Sequence, residues 1–145
     1  NRYFENLASI LLGYGPESCD MNGVCSVQYA IEADGSVYPC DFYMLDEYRI
    51  GNINTDSMET IDENRRCIGF IEQSARLPEQ CRGCRWLRLC RNGCRRYRDD
   101  AGLNRLCSTY QQFFPYALKR MEKLLREAHP LKKIWLPVRA GLTKQ

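Results

Sequence analysis

The sequence predicts a small α+β domain with one β-hairpin, short helices and a long C-terminal helix. Three observations predict it. Nine cysteines fall at tight, uneven spacings among 145 residues. Residues 27–38 alternate apolar and polar about Asp34-Gly35, the mark of a hairpin. Beyond Cys107 an apolar stripe recurs at helical spacing.

The elements follow in order. Tyr3, Phe4, Leu7, Ile10 and Leu11 share one helical face, and Gly13 and Gly15-Pro16 end that pattern, giving a short amphipathic helix. Val27, Tyr29, Ile31 and Ala33 alternate before Asp34-Gly35, and Ser36-Val37-Tyr38 resumes an extended run. Asp-Gly there predicts a two-residue type I' turn, which returns Cys25 and Cys40 to one end and sets Cys25 close to opposite Met44. Thr55 and Ser57 are both plausible N-caps for a helix over 58–64, and 66–76 reads as helical up to Pro78. Ile61, Ile68 and Ile71 would form the buried face of that region, with Cys67 beside Ile68 as a buried structural thiol.

Residues 81–107 hold too many cysteines and arginines for a periodic element, so a ligand-bearing loop with one or two helical turns is expected. Ser108 and Thr109 can cap a long helix with the stripe Phe114, Ala117, Leu118, Met121, Leu124, Leu125 and Ala128, Pro115 marking its first turn or a kink. The tail 130–145 mixes Lys132, Lys133, Arg139 and Lys144 with Ile134, Trp135, Leu136 and Val138. The expected organisation is a linking helix at 1–18, a cysteine-rich domain at 19–107, and a helix with a basic tail at 108–145.

Composition bounds the function. Twenty-one Lys and Arg against 18 Asp and Glu give a formal net charge of +3 with 44% hydrophobic residues, the profile of a soluble globular domain. No apolar run suits a membrane helix and the first residues lack the pattern of a signal peptide. The chain begins with Asn1 rather than Met and reads as a fragment of a longer protein.

Cys81-x2-Cys84-x5-Cys90-x3-Cys94 places four thiols where they can converge on soft metal, whereas disulfides at such spacings close only with strain. Setting aside the isolated Cys67 leaves eight cysteines, the number that two 4Fe-4S clusters with four thiolates each require. Zinc on the Cys81-x2-Cys84 and Cys90-x3-Cys94 pairs is the other reading, that of a structural or binding module.

Cys25-x9-Gly35-x4-Cys40, then Cys81-x2-Cys84-x5-Cys90-x3-Cys94, then Cys107 resembles the seven-cysteine motif of the SPASM domain, an auxiliary iron-sulfur domain of radical SAM enzymes. The words Asp34-Gly35-Ser36-Val37-Tyr38-Pro39-Cys40-Asp41-Phe42-Tyr43 and Arg49-Ile50-Gly51-Asn52-Ile53 look like the anaerobic sulfatase-maturating enzymes. Cys19, six residues before Cys25, fits that subgroup too. The resemblance implies a SPASM-type fold organised around two metal clusters, one held by Cys19, Cys25, Cys40 and Cys94, the other by Cys81, Cys84, Cys90 and Cys107. All-cysteine ligation would suit electron transfer rather than Lewis-acid catalysis.

It further implies a candidate general base at Asp41, and oxidation of a Cys or Ser side chain of a sulfatase to Cα-formylglycine. There a 5'-deoxyadenosyl radical removes a Cβ hydrogen, a base takes the thiol or hydroxyl proton, and an electron leaves through the auxiliary clusters. S-adenosylmethionine would bind only in a separate core: no C-x3-C-x2-C triplet occurs here, and a barrel of about 200 or more residues does not fit in this length. The implied partners are that radical SAM core of the same protein and a sulfatase-derived peptide, with neither nucleic acid nor membrane. Oxygen-sensitive clusters on free thiolates imply a reducing cytoplasm. Another peptide-modifying radical SAM enzyme with the same domain is the nearest alternative.

Eight arginines between Cys81 and Arg105 are expected to offset cluster charge or serve a domain interface. Tyr29, Tyr38, Phe42, Tyr43 and Tyr48 are expected to pack rather than line a peptide site. His129, the one histidine, reads as a surface residue.

Overall fold

In the computed structural model, which describes residues 1–135, the helices are α1 (Arg2–Leu11), α2 (Cys19–Asn22), α3 (Met58–Cys67), α4 (Phe70–Ser74), α5 (Glu79–Arg82), α6 (Leu87–Cys90) and α7 (Cys107–Ala128). The strands are β1 (Ala30–Ile31), β2 (Ser36–Tyr38) and β3 (Gly51–Asn52). They form one antiparallel sheet in the order β1-β2-β3. The expected hairpin is thus extended by a third strand, in the segment Arg49–Ile53. Two compact units divide these elements: residues 24–76, and residues 1–23 with the chain from Leu77 onward.

In the unit 24–76, Ile31 pairs with Val37 and Ala30 with Tyr38. That register is one residue from the predicted one and would set residue 43, not Met44, opposite Cys25. A type I' turn needs positive φ at both central residues. Gly35 has φ +86, but Asp34 is absent from the positive-φ residues. Asp34 instead accepts hydrogen bonds from the Ser36 N–H and Oγ, each at 2.9 Å, while the Gly35 N–H reaches the Glu32 carbonyl at 2.9 Å. The result is a three-residue loop with glycine in the left-handed place.

Val37, Ile50 and Ile61 form this unit's buried cluster, with Tyr29 and Ile68 packed against it. Ser57, not Thr55, caps α3, its hydroxyl accepting from the Thr60 N–H. The predicted helix 66–76 is two pieces, because Gly69 at φ +59 separates α3 from α4. Phe70 and Ser74 are the buried residues of α4, with Phe70 packed edge-on against Tyr43 and Tyr48. Cys67, expected to be buried, is exposed at the last position of α3; the half-buried neighbour is Ile68.

In the other unit α1 contributes Leu7, Ile10 and Leu11, which pack with Trp86, Leu89, Phe114 and Leu118 in a single core. Asn1 caps α1 by accepting from the Tyr3 N–H. The stripe on α7 holds for Phe114, Ala117, Leu118, Met121 and Leu125, while Leu124 and Ala128 are exposed. The predicted caps Ser108 and Thr109 lie inside α7, and Pro115 sits well within it. Beyond α7, Ile134 is buried and the Trp135 N–H donates to the Leu11 carbonyl at 2.7 Å. Leu136, Val138, Arg139 and Lys144 of the tail lie outside the described residues. No helix among the described residues is long and apolar enough to cross a membrane.

Candidate metal centre

Residues 77–107 fold as short helical turns, which aim thiols individually instead of along a strand or helix face. Cys81 lies in α5, Cys84 follows one turn later, Cys90 ends α6 and Cys107 begins α7. All four line one cavity of about 270 Å³, walled also by Trp86, Leu87 and Tyr110. None is in a disulfide; all nine cysteines are free. The Cys84 sulfur accepts from the Trp86 N–H at 3.4 Å and from the Gln111 side chain at 3.5 Å.

Burial pushes the Cys90 thiol up to about 11 and raises Cys81 as well. Such thiols are neutral near pH 7 until a metal displaces their protons. The donor set suits a thiolate-bound cluster: four sulfurs around a partly apolar space, with N–H groups directed at one of them. Among the described residues no three His, Cys, Asp or Glu side chains converge as a single-ion site does. A cluster asks less convergence of its ligands, because each thiolate binds a different iron corner.

Cys94 does not line this cavity. It borders a neighbouring one of about 210 Å³ with Cys90, Asp20, Tyr3 and Tyr97. Arg91, Asn92 and Gly93, between the two thiols, all have positive φ. Sequence reasoning passed over Asn92, which is buried and holds this bend. Its side chain donates to the Gly102 carbonyl at 2.8 Å and accepts from the Asn104 N–H at 2.9 Å. Arg98 adds hydrogen bonds to the carbonyls of Asn92, Gly93 and Gly23. An Asn-Gly pair between two cysteines was the available signal.

Cys19 opens α2 and is exposed. The chain entering it is held by buried Asn6, which accepts from the Glu17 and Ser18 N–H groups. In the other unit the Cys25 N–H donates to Ser74 Oγ at 2.8 Å, and Cys40 is buried two residues beyond β2. Burial raises the Cys40 thiol to about 11, with the adjoining Asp41 carboxylate acting in the same direction.

Asp41 begins the 3-10 turn Asp41–Tyr43 and is exposed. It accepts from the Phe42 N–H at 3.1 Å and from the Cys40 thiol at 3.3 Å. Phe42 beside it is also exposed. The other aromatics do pack: Tyr43 lies 4.9 Å from Tyr48 edge to face, Tyr38 is buried, and the Tyr29 hydroxyl donates to Asp62 at 2.8 Å.

Several of the arginines make contacts within the protein. Arg85 and Arg88 sit over the rings of Trp86 and Trp135 at 4.4 and 4.2 Å, Arg82 pairs with Glu79 at 3.4 Å, and Arg98 binds backbone carbonyls. His129 is exposed at the end of α7.

Residues 19–85 match the SPASM family, described as an iron-sulfur cluster-binding domain. A Cysteine-type anaerobic sulfatase-maturating enzyme of Clostridium perfringens (strain 13 / Type A) is 45% identical over 125 residues, covering 83% of this chain and 34% of its own length. A Serine-type anaerobic sulfatase-maturating enzyme of Bacteroides thetaiotaomicron is 29% identical over 132 residues, covering 86% of this chain and 32% of its own. Among solved structures, a polyhistidine-tagged anSMEcpe with bound AdoMet superposes with a TM-score of 0.77 at 45% identity, over 87% of this chain and 34% of that one. Native anSMEcpe with bound AdoMet and Kp18Cys peptide gives 0.75 at 45% identity, over 87% and 36%. The chain spans about a third of the length of the curated relatives it matches.

Proposed function

The chain belongs to the proteins that carry a SPASM iron-sulfur cluster-binding domain, and from that premise we propose that it is the auxiliary-cluster portion of an anaerobic sulfatase-maturating enzyme. The observation that carries this reading is the single cavity lined by the free thiols of Cys81, Cys84, Cys90 and Cys107. These four would hold one 4Fe-4S cluster. Cys19, Cys25, Cys40 and Cys94 are the proposed ligands of a second. When bound, such clusters supply one-electron transfer.

The protein's own residues would do the rest. Asp41, exposed beside Cys40, is proposed to accept the proton of a substrate thiol or hydroxyl, and exposed Phe42 to touch the peptide. A solved relative holds a peptide, which supports a peptide substrate here. Identity of 45% to Cysteine-type against 29% to Serine-type relatives favours a cysteine target oxidised to Cα-formylglycine. The radical step and S-adenosylmethionine belong to a core of the same protein, in a reducing compartment such as the cytoplasm.

The test uses the whole protein, prepared and reconstituted without oxygen. Two auxiliary clusters predict about eight iron and eight sulfide beyond those of the core, and formylglycine in a sulfatase-derived cysteine peptide. Zinc without acid-labile sulfide would replace this reading with a structural metal module. Clusters without formylglycine, but with another peptide modification, would move the protein to a different radical SAM class.

A further inference from the structure

Cys107 and Gln111 stand one turn apart on α7, so the helix that supplies the last of the four thiols also directs an amide into their cavity. The Gln111 Nε2 lies 3.5 Å from Cys84 Sγ. A thiolate only accepts hydrogen bonds, which makes the N–H and not the carbonyl the end that faces it. The same sulfur receives the Trp86 N–H at 3.4 Å. That second donor is backbone and immune to substitution, while Gln111 is a replaceable side chain on the exposed part of the helix.

We propose that Gln111 is a positioning residue that sets the reduction potential of the cluster held by Cys81, Cys84, Cys90 and Cys107. The proposal rests on the cluster reading of that cavity. Reduction adds one electron, and part of its charge falls on the ligand sulfurs. An N–H directed at Cys84 Sγ stabilises that more negative state over the oxidised one and so raises the potential. Gln111 acts through Cys84, whose sulfur its amide faces. Its influence would fall on the cluster in this cavity and leave the other unchanged, altering the driving force for electrons passing between them.

The experiment is an anaerobic redox titration of the whole reconstituted protein, followed by electron paramagnetic resonance, with iron and sulfide counted in each sample. Gln111→Met and Gln111→Glu preserve length and helix propensity. Gln111→Met should keep the wild-type iron and sulfide content and shift one auxiliary midpoint to lower potential. Gln111→Glu should shift the same midpoint further down at neutral pH, because a carboxylate opposes the added electron. Unchanged midpoints with intact clusters in both variants would overturn the proposal. Loss of iron in both variants with a wild-type melting profile would also overturn it, making Gln111 a determinant of cluster assembly. A wild-type protein without iron-sulfur clusters would overturn the cluster reading itself, a result distinct from either.

Discussion

Asn92 and Asn104 grip each other twice. The Asn104 N–H donates to the Asn92 side chain at 2.9 Å, and the Asn104 amide returns to the Asn92 carbonyl at 3.3 Å. Both are buried. The grip stabilises a left-handed bend that an L-residue adopts only at a cost of about 1–2 kcal/mol each, and that bend lies between Cys90, which lines both cavities, and Cys94, which lines the smaller of the two.

Asn92→Ala should therefore lower stability by about 2–3 kcal/mol, because it strands the buried Asn104 N–H and removes the partner of the part-buried Gly102 carbonyl. Asn92→Asp keeps the acceptor and should lose less. Denaturant melts read the stability, and iron per chain after reconstitution should fall in the same order. Wild-type values for Asn92→Ala in both measurements would show that the bend holds without it.

Cys67 is exposed and stands outside both proposed ligand sets. Brief treatment of the whole, cluster-loaded protein with iodoacetamide should label Cys67 in this region and spare the other eight cysteines. Stripping the clusters should expose the rest. Cys67→Ser should retain the full iron content. Protection of Cys67 in the loaded protein would require a revised ligand count.

Asp41→Asn in the whole enzyme should leave iron and sulfide intact and reduce formylglycine formation by about 10²–10⁴-fold, the range of a lost general base. Full turnover of that variant would remove Asp41 from the chemistry and leave it as a turn residue bonded to Phe42.

Gly35→Ala adds a Cβ at φ +86 that would collide with the side chains of Asn54 and Asn52. Strain in the left-handed region alone predicts a loss of about 1–2 kcal/mol. The drop should appear as a lower melting temperature with little change in helix signal, since the three-residue loop joins β1 and β2 and not two helices. An unchanged melting temperature would mean that the loop relaxes into another turn.

Much of the proposed site was legible because metal ligation, where it occurs, constrains residue type and spacing together. The spacing singled out Cys81, Cys84, Cys90 and Cys107, which the fold brings to one cavity, together with Cys94, which it places beside the neighbouring one, and the words around Cys40 pointed to the family without any knowledge of the path between them. The amphipathic α1 and the stripe on α7 were equally plain, since a helix face repeats along the chain. The turn was misread because Asp-Gly fits two loops, and the choice fell to whether Asp34 keeps negative φ and bonds Ser36. The exposure of Cys67 followed from its position at the last turn of α3 before Gly69, where Ile68 rather than Cys67 packs against the buried cluster.

Residue type and local period were enough for the family, the cysteine count and the helical faces. Packing had to settle which thiols share a cavity, how Asn92 and Asn104 hold the bend between Cys90 and Cys94, and that Gln111 faces Cys84. The two hydrogen-bonded pairs join residues 12 and 27 positions apart. Hydrogen bonds of that span form only after separate turns have packed, so no local pattern announces them.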